Sequence, residues 1–595
     1  MSRKAAQPVV VPSTGIKGAM KQRILLDMIE SVGGSFKVLL VDAASAEILS
    51  VCLRMNELMD HGITLVEDIK NVRQPITKSP AIYFIAPTEA SVKIVIDDWA
   101  TKDKYLEAHI FFTSSAPKRI IDTIAAARIV EKVKNLKDML LDFSVPETLS
   151  FHFGITDGML KLMGPMVSQP ALNNAVAKLT SVAHTLGDNP IIRFQNNGLC
   201  RTFAEQVSAS IDALAKEIPA MNSQNPRTIV VVVDRSIDSA APLLHERTYE
   251  GMINDLMPLD NMMYQQSYKD RSGKDAVRNC PLDELDQYWC KFRHMFLPKA
   301  VEQLPAALKQ LLADNPALAG GLEKGAKLSE VGNAIRSLPE FQDKQAKLSM
   351  HIDILSKVMD LYKGQNLTEV SALEQKIAAG GSFKDTYEAI KKTMKNADDN
   401  LKLRMLLLFC ACCTSRDFTP AKKQALLQDL GLDGESLSVA NFDAVVSRTG
   451  VIPQPKGTVT DRDPYVPQVK LILESLCAEN LSTTDFPFIR PSDASATSTA
   501  ASAPAPKRSL RSAGSRPSAG AARGGGGDHV LDLGHDEKIS LTNQQRLVVF
   551  VLGGVTRADV RSAYDIAREK QREAIVGGTS LLRADTFVRQ LPGMK

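Results

Sequence analysis

Two carboxylates offer the clearest candidates for chemistry in this 595-residue chain. Asp234 closes the apolar run VVVVD, and Asp238 follows one turn later. A carboxylate at the end of a buried strand is where a phosphate-handling α/β enzyme can hold its metal. Such an enzyme also needs a glycine-rich loop ending in Gly-Lys-Ser/Thr, and here Gly273-Lys274 is followed by Asp275. Aspartates at strand ends equally cap the next turn or helix, and that structural role is the expected one. His245-Glu246 lacks the second histidine that a zinc-protease helix carries four residues on, and the nine histidines include no pair at ligand spacing. Cys410, Cys412 and Cys413 fall in the apolar run LLLFCACC with no histidine nearby, which predicts buried reduced thiols. Gly553-Gly554 and Gly577-Gly578 could seat a phosphate at a helix start, but glycine pairs also serve tight turns with positive φ. The residues therefore predict no catalytic site, no metal and no cofactor.

The elements around these residues are those of a frame. Four apolar runs, FKVLLVD (36–42), GITLVED (62–68), AIYFIAP (81–87) and AHIFFTS (108–114), are of strand length and unalternated. Such runs mark strands buried on both faces of a parallel sheet. Helical patterns fall at 19–31 and 89–99. After Asp42 comes Ala43-Ala44-Ser45, where a dinucleotide fold would place glycines. A second α/β unit centres on RTIVVVVDRSID (227–238), after a helical pattern at 201–218. From 249 to 478 the strand signal nearly disappears, which predicts a large helical insertion. RLVVFVLGGV (546–555), a helix at 557–569 and AIVGGTS (574–580) then return to α/β patterning. About seventy residues make a poor independent domain, so these strands are expected to complete the sheet that holds Val230–Val233.

The expected organisation is thus a first α/β domain over 1–142, a second over 143–248 and 482–595, and a mainly helical third over 249–481. Residues 492–527, rich in Ser, Ala, Pro and Gly, are expected to be a disordered linker. The net charge of +4 and an aromatic content of 5% argue against a nucleic-acid binder. No apolar run reaches the roughly eighteen residues of a membrane span, and unpatterned cysteines suit a cytosolic protein.

Within the helical insertion, residues 286–363 predict a hairpin. Trp289, Phe292, Phe296, Val301, Leu304, Leu308 and Leu311 recur at helical spacings, with Pro298 and Pro305 expected to bend that helix. The second helix is expected to begin after Leu338-Pro339. It carries a heptad of Phe341, Leu348, Leu355 and Tyr362 beside Gln345, Ile352 and Met359. Such a seam can pack on its hairpin mate or receive a partner helix.

Taken in order, KVLLVD, LVEDI, AIYFIAPTEASV, VVVVDRSIDSAAPLLHERTYEGMINDLMP (230–258), FPFIR (486–490) and LVVFVLGGVTRADVRSAYD (547–565) resemble the SM family of syntaxin-binding proteins, the Sec and Munc proteins of vesicle fusion. The likeness is nearest to the exocytic, plasma-membrane subgroup. It implies a three-domain arch, α/β with a large helical insertion, whose second domain is discontinuous and whose third bears a protruding hairpin. It also implies a non-enzymatic cytoplasmic protein without cofactors, a monomer that forms a 1:1 heterodimer with syntaxin and is recruited to the plasma membrane through it. The implied partners are syntaxin in a central cavity, the syntaxin N-terminal peptide outside the first domain, the assembled SNARE complex, and a vesicle SNARE of the synaptobrevin type.

By that resemblance the cavity surface corresponds to Asp42, Ala46, Arg54, Glu67, Asn71, Arg73 and Gln74. Arg54 and Glu67 keep the charges typical of neuronal members, whereas Asn71 and Gln74 are neutral. The peptide pocket corresponds to Ala116, Ile121, Arg128, Val133, Leu136 and Asp138. The vesicle-SNARE hairpin corresponds to Leu308, Pro339, Phe341, Leu348, His351, Ile352 and Leu355.

Overall fold

A computed structural model of the chain describes residues 15–100, 102–257, 259, 262–269, 274–319, 328–413, 416–447, 465–494, 530–533 and 537–593. Nearly all of the expected linker over 492–527, and the hairpin tip at Gly320-Gly321, lie outside the described residues.

Two parallel sheets organise the α/β part. The first holds β1 (Lys37–Val41), β2 (Ile63–Asp68), β3 (Ala81–Ile85), β4 (Ala108–Phe112) and β5 (Val133–Asp138), in the order β2-β1-β3-β4-β5. The strands β1, β3 and β4 are buried throughout, as their unbroken apolar runs demand. The edge strands β2 and β5 are mixed in burial. The helix Glu89–Asp97 starts where Thr88 accepts the N–H of Ser91. The expected N-terminal helix is an α-helix, Gly15–Gln22, continued by a π-helical stretch, Arg23–Ile29.

The second sheet holds β6 (Ser144–Glu147), β7 (Ser150–His152), β8 (Ile191–Phe194), β9 (Ile229–Asp234), β14 (Asn543–Leu552) and β15 (Arg572–Gly578). Its order is β6-β7-β15-β14-β9-β8, parallel except for the β6/β7 pair. The expected pairing is present, with Val548 opposite Val230 and Val551 opposite Val233. Two chemical details make it work. A Cβ on Gly577 would lie 2.1 Å from the Phe151 ring, so only glycine lets β15 close on β7. Gly553 and Gly554 turn the chain after β14 at φ of +93° and +111°. FPFIR lies beside β8: Arg193 donates to the Phe486 carbonyl at 2.9 Å and its guanidinium sits 4.6 Å from the Phe488 ring.

The region between these sheet segments is mainly helical, with its own core around Trp289, Phe292, Leu348, Leu406 and Phe409. The sequence pattern missed a β-hairpin there, β10 (Met263–Lys269) with β11 (Asp275–Pro281), whose polar sequences give no apolar alternation. A further pair, β12 (Val530–Asp532) and β13 (Lys538–Ser540), precedes β14.

The hairpin also differs from expectation. Its first arm is two helices, Gln287–Phe292 and Leu297–Asp314, with Pro298 in the opening turn of the second, where a missing N–H costs nothing. Pro305 does lie inside that helix. The second arm is one helix, Leu328–Gly364, which runs through Pro339 instead of starting after it. Among the described residues no helix is long and apolar enough to cross a membrane.

Candidate functional site

The first group of candidate residues follows edge strand β2. Asp42, at the end of β1, caps the helix Ala43–Cys52: its carboxylate accepts the N–H of Ser45 at 3.0 Å, the N–H of Ala86 at 2.8 Å and the Ser91 hydroxyl at 2.8 Å. Arg73 donates to the Ile69 carbonyl at 2.8 Å and lies 3.0–3.1 Å from the oxygens of Asp98, which Tyr83 and Lys104 also reach. Both residues are 6% exposed. The expectation that Asp42 and Arg73 form the partner-facing surface is therefore corrected. Every polar atom they could offer is committed inside the domain, and they shape the surface from beneath.

Ala46 is half-buried against the core. Arg54, Asn71 and Gln74 are exposed and Glu67 is half-buried. Beside them, Met55, Met59 and Val72 are exposed apolar side chains, Val72 fully so. Arg54 and the methionines stand before β2, and Asn71, Val72 and Gln74 follow it. The group therefore runs the length of a six-residue strand, about 20 Å at the usual rise. At one end the Arg54 guanidinium donates to the Leu285 carbonyl at 3.4 Å, which brings the helical region to the same surface. Polar ends, one of them carrying the charge of Arg54, around apolar side chains along an unpaired edge suit an amphipathic helix.

The second group lies on the opposite edge strand, β5. Ala116, Ile121 and Val133 are half-buried against the first sheet's outer core, and Leu136 is 41% exposed. Asp138 accepts the N–H of Ala116 at 3.2 Å and fixes the loop after β4. Arg128 faces Asp103 at 3.5 Å. Lys134 and Lys137 are exposed along β5, so the apolar side chains of Ile121, Val133 and Leu136 lie beside positive charge. Four strand spacings separate β2 from β5, about 19 Å, so the two groups cannot overlap.

The third group, expected on a partner-facing hairpin, is largely interior in this structure. Leu348 and Leu355 are 0% and 5% exposed within the helical core. His351 is fully buried: it stacks on Trp289 at 6.3 Å, meets the Tyr249 hydroxyl at 3.1 Å and pairs with Asp286 at 3.2 Å. Phe341 is 5% exposed. Leu308 and Ile352 are half-buried against the same core. Pro339 is exposed. The heptad seam thus packs on its own domain.

Asp234 and Asp238 are spent on structure. Asp234 accepts from the Ser236 N–H and the Asn197 amide at 2.9 and 3.0 Å. Asp238 accepts from the N–H groups of Ala241 and Gln468 and from the Tyr465 hydroxyl, at 2.9, 3.0 and 3.0 Å. Burial pushes the Asp238 carboxyl up, against the pull of Arg235. Neither turns a free oxygen toward a substrate.

Sequence reasoning also missed a buried charge network. Glu147 and Glu250 each lie 2.7 Å from the Arg557 guanidinium, Arg293 is 3.3 Å from Glu147, and His294 is 3.5–3.9 Å from both carboxylates. Burial and the neighbouring Glu147 push the Glu250 carboxyl up. The geometry is that of a metal triad, but two guanidiniums already balance the two carboxylates. A dication there would add uncompensated buried charge, so the donor set does not fit one. No local motif announces this network, because its members come from four distant stretches of chain.

A model of the Sec1 family matches residues 37–590. A Dictyostelium discoideum relative, protein transport protein sec1, is 26% identical over 617 residues, covering 98% of this chain and 100% of the relative. The fold is similar to that of the Unc18–syntaxin 1 complex from Monosiga brevicollis, with a TM-score of 0.77 and 22% identity over 98% of this chain and 100% of that one. It is also similar to the SM protein Vps45 in complex with the Qa SNARE Tlg2, with a TM-score of 0.76 and 20% identity over 97% and 98% of the two chains. Those structural identities speak for the fold. Because the family match spans nearly every element described above, from β1 to the last helix, the chain belongs to the Sec1 family.

Proposed function

We propose that this chain is a non-enzymatic, syntaxin-binding regulator of vesicle docking and fusion in exocytosis. The observation that carries the reading is the Sec1-family match over residues 37–590, on a chain whose β2 edge leaves Arg54, Met55, Met59, Asn71, Val72 and Gln74 exposed. A syntaxin helical bundle lies along that edge and against the helical region at Leu285. An interface of about 2,000 Å² or more would hold it against premature pairing. The syntaxin N-terminal peptide docks separately on β5, with an apolar residue beside Leu136 and Ile121 and acidic groups toward Lys134 and Lys137. The helix Leu328–Gly364 offers its outer face to the vesicle SNARE. Holding two SNARE helices together lowers the entropic cost of starting a coiled coil.

Pull-downs of the purified chain against a panel of plasma-membrane, Golgi and endosomal syntaxins test this reading. Capture of a plasma-membrane syntaxin supports it. Capture of only a Golgi or endosomal syntaxin would move the protein to the traffic step of its Vps45-like relatives, and capture of none would overturn SNARE binding altogether.

A further inference from the structure

The first sheet has the strand order 2-1-3-4-5, which reverses direction between β1 and β3. In open parallel sheets, ligands bind beyond the carboxyl ends of the strands at such a reversal. A cleft of about 350 Å³ opens there, lined by Ala44 after β1, Ala86 after β3, and Thr113 and Ser114 after β4. Its far wall comes from the second α/β unit, including Phe143, Ser144, His152, Phe153 and Lys178. That volume is within the range of small-molecule sites. Phe153, Gly154 and Lys178 also line an open groove of about 420 Å³, so the cleft has access to solvent.

The wall chemistry is mixed. Met20, Ile48, Val51, Phe143, Val145 and Phe153 supply its apolar lining. Among them, the hydroxyls of Thr113, Ser114 and Ser144 have no side-chain hydrogen bond among the described residues, and the Nδ1 of His152 is buried without a partner. Lys178 donates to the Phe153 carbonyl at 3.1 Å and Asp142 accepts from Ser181 at 3.3 Å, and both line the cleft. Burial lowers Lys178 and raises Asp142, each pulled back by the other. Burial also holds His152 down to about 4, so its ring is neutral at pH 7.

The position a phosphate would take is filled. At the start of the helix Ala43–Cys52, the Asp42 carboxylate already accepts the N–H groups of Ser45 and Ala86. Glu47 stands beside it on the cleft wall. An anionic ligand would meet the Glu47 carboxylate and find the helix N–H of Ser45 already taken by Asp42.

We propose that this cleft binds an uncharged nucleoside: a flat base against the apolar lining, sugar hydroxyls toward Thr113, Ser114 and Ser144, and no phosphate. A bound nucleoside bridges the two sheets and restrains their relative motion.

Isothermal titration of the full-length chain with adenosine and guanosine, beside their 5′-monophosphates and myo-inositol, tests this. The expected result is saturable nucleoside binding that is at least tenfold weaker for the monophosphates and undetectable for inositol. Thr113→Val and Ser144→Ala should each weaken the nucleoside about tenfold, the effect of one lost hydrogen bond, with unfolding midpoints unchanged. The comparison among ligands on the unmodified chain stands even if a variant fails to fold. No heat with either nucleoside at millimolar concentration, equal binding of the monophosphates, or preference for inositol would overturn the proposal.

Discussion

The carboxylate of Glu284 receives the backbone N–H of Thr148 at 2.9 and 3.0 Å across 136 residues of sequence. It also accepts from the Thr148 hydroxyl, from Arg293 and from the Tyr564 hydroxyl, at 2.9, 3.0 and 3.0 Å, and pairs with Lys17 at 3.1 Å. One buried side chain therefore ties the N-terminal helix, the β6–β7 turn, the helical region and the helix Arg557–Lys570 together. The site surface beside Arg54 and Leu285 is held in register by this knot.

Burial alone would raise the Glu284 carboxyl, but Arg293, Lys17 and the Thr148 N–H hold it down to about 2. Its unfolded value is about 4.3. A carboxyl depressed on folding contributes stability that is complete above the unfolded value and lost as pH falls from about 4.3 toward 2. At ~1.4 kcal/mol per unit this is about 3 kcal/mol. Glu284→Gln should therefore lower unfolding stability at pH 7 by about that much and flatten the acid arm below pH ~4.3. Urea unfolding followed by tryptophan fluorescence across pH 7 to 3 measures both, and a loss under ~1 kcal/mol would refute the knot.

The two kinds of residue around β2 should separate experimentally. Arg54→Glu and Met59→Ala alter exposed side chains, and each should weaken syntaxin binding about fivefold, near 1 kcal/mol, with the melting temperature unchanged. Asp42→Ala removes three buried hydrogen bonds and should cost ~2–4 kcal/mol of stability, lowering syntaxin binding only through unfolded protein. Parallel binding and thermal-melt curves decide between these patterns.

On the other edge, Leu136→Glu places an acidic group among the apolar side chains at β5. It should abolish binding of an isolated syntaxin N-terminal peptide while leaving capture of the syntaxin helical bundle within about twofold, because the edges lie about 19 Å apart. Fluorescence anisotropy with a labelled peptide, beside a pull-down of the bundle, reads both effects.

Pro339 sits inside a continuous helix, where proline removes a hydrogen bond and costs up to ~3 kcal/mol. Pro339→Ala should stabilise the extended second arm and raise capture of the vesicle SNARE. Equal capture by the variant and the unmodified chain would remove the hairpin from that role.

Much of the frame was legible because burial on both faces leaves a local trace. The runs at 37–41, 81–85 and 108–112 could be read directly, and the apolar 547–551 pattern predicted its pairing with 229–233. The polar hairpin at 263–281 escaped, because strands with no buried face carry no alternation. Pro339 misled for a related reason: proline disfavours helix in the preceding residue, but the long helix keeps that residue helical.

At the candidate site, residue types marked which groups could face a partner and could not say which way they face. Asp42 and Arg54 are both charged and both border the apolar core, yet one is drawn inward by three hydrogen-bond donors and the other left in solvent. His351 likewise was assigned to the vesicle-SNARE hairpin by resemblance and joins a buried aromatic stack in space. The sequence alone determined a pair of parallel sheets, a helical insertion and the absence of a phosphate loop, since propensity and periodicity act over short stretches. Only the tertiary structure decided which carboxylates are consumed, because Glu284 and Asp238 find several of their partners more than a hundred residues away. Hydrogen bonds and charge pairs have no period along the chain.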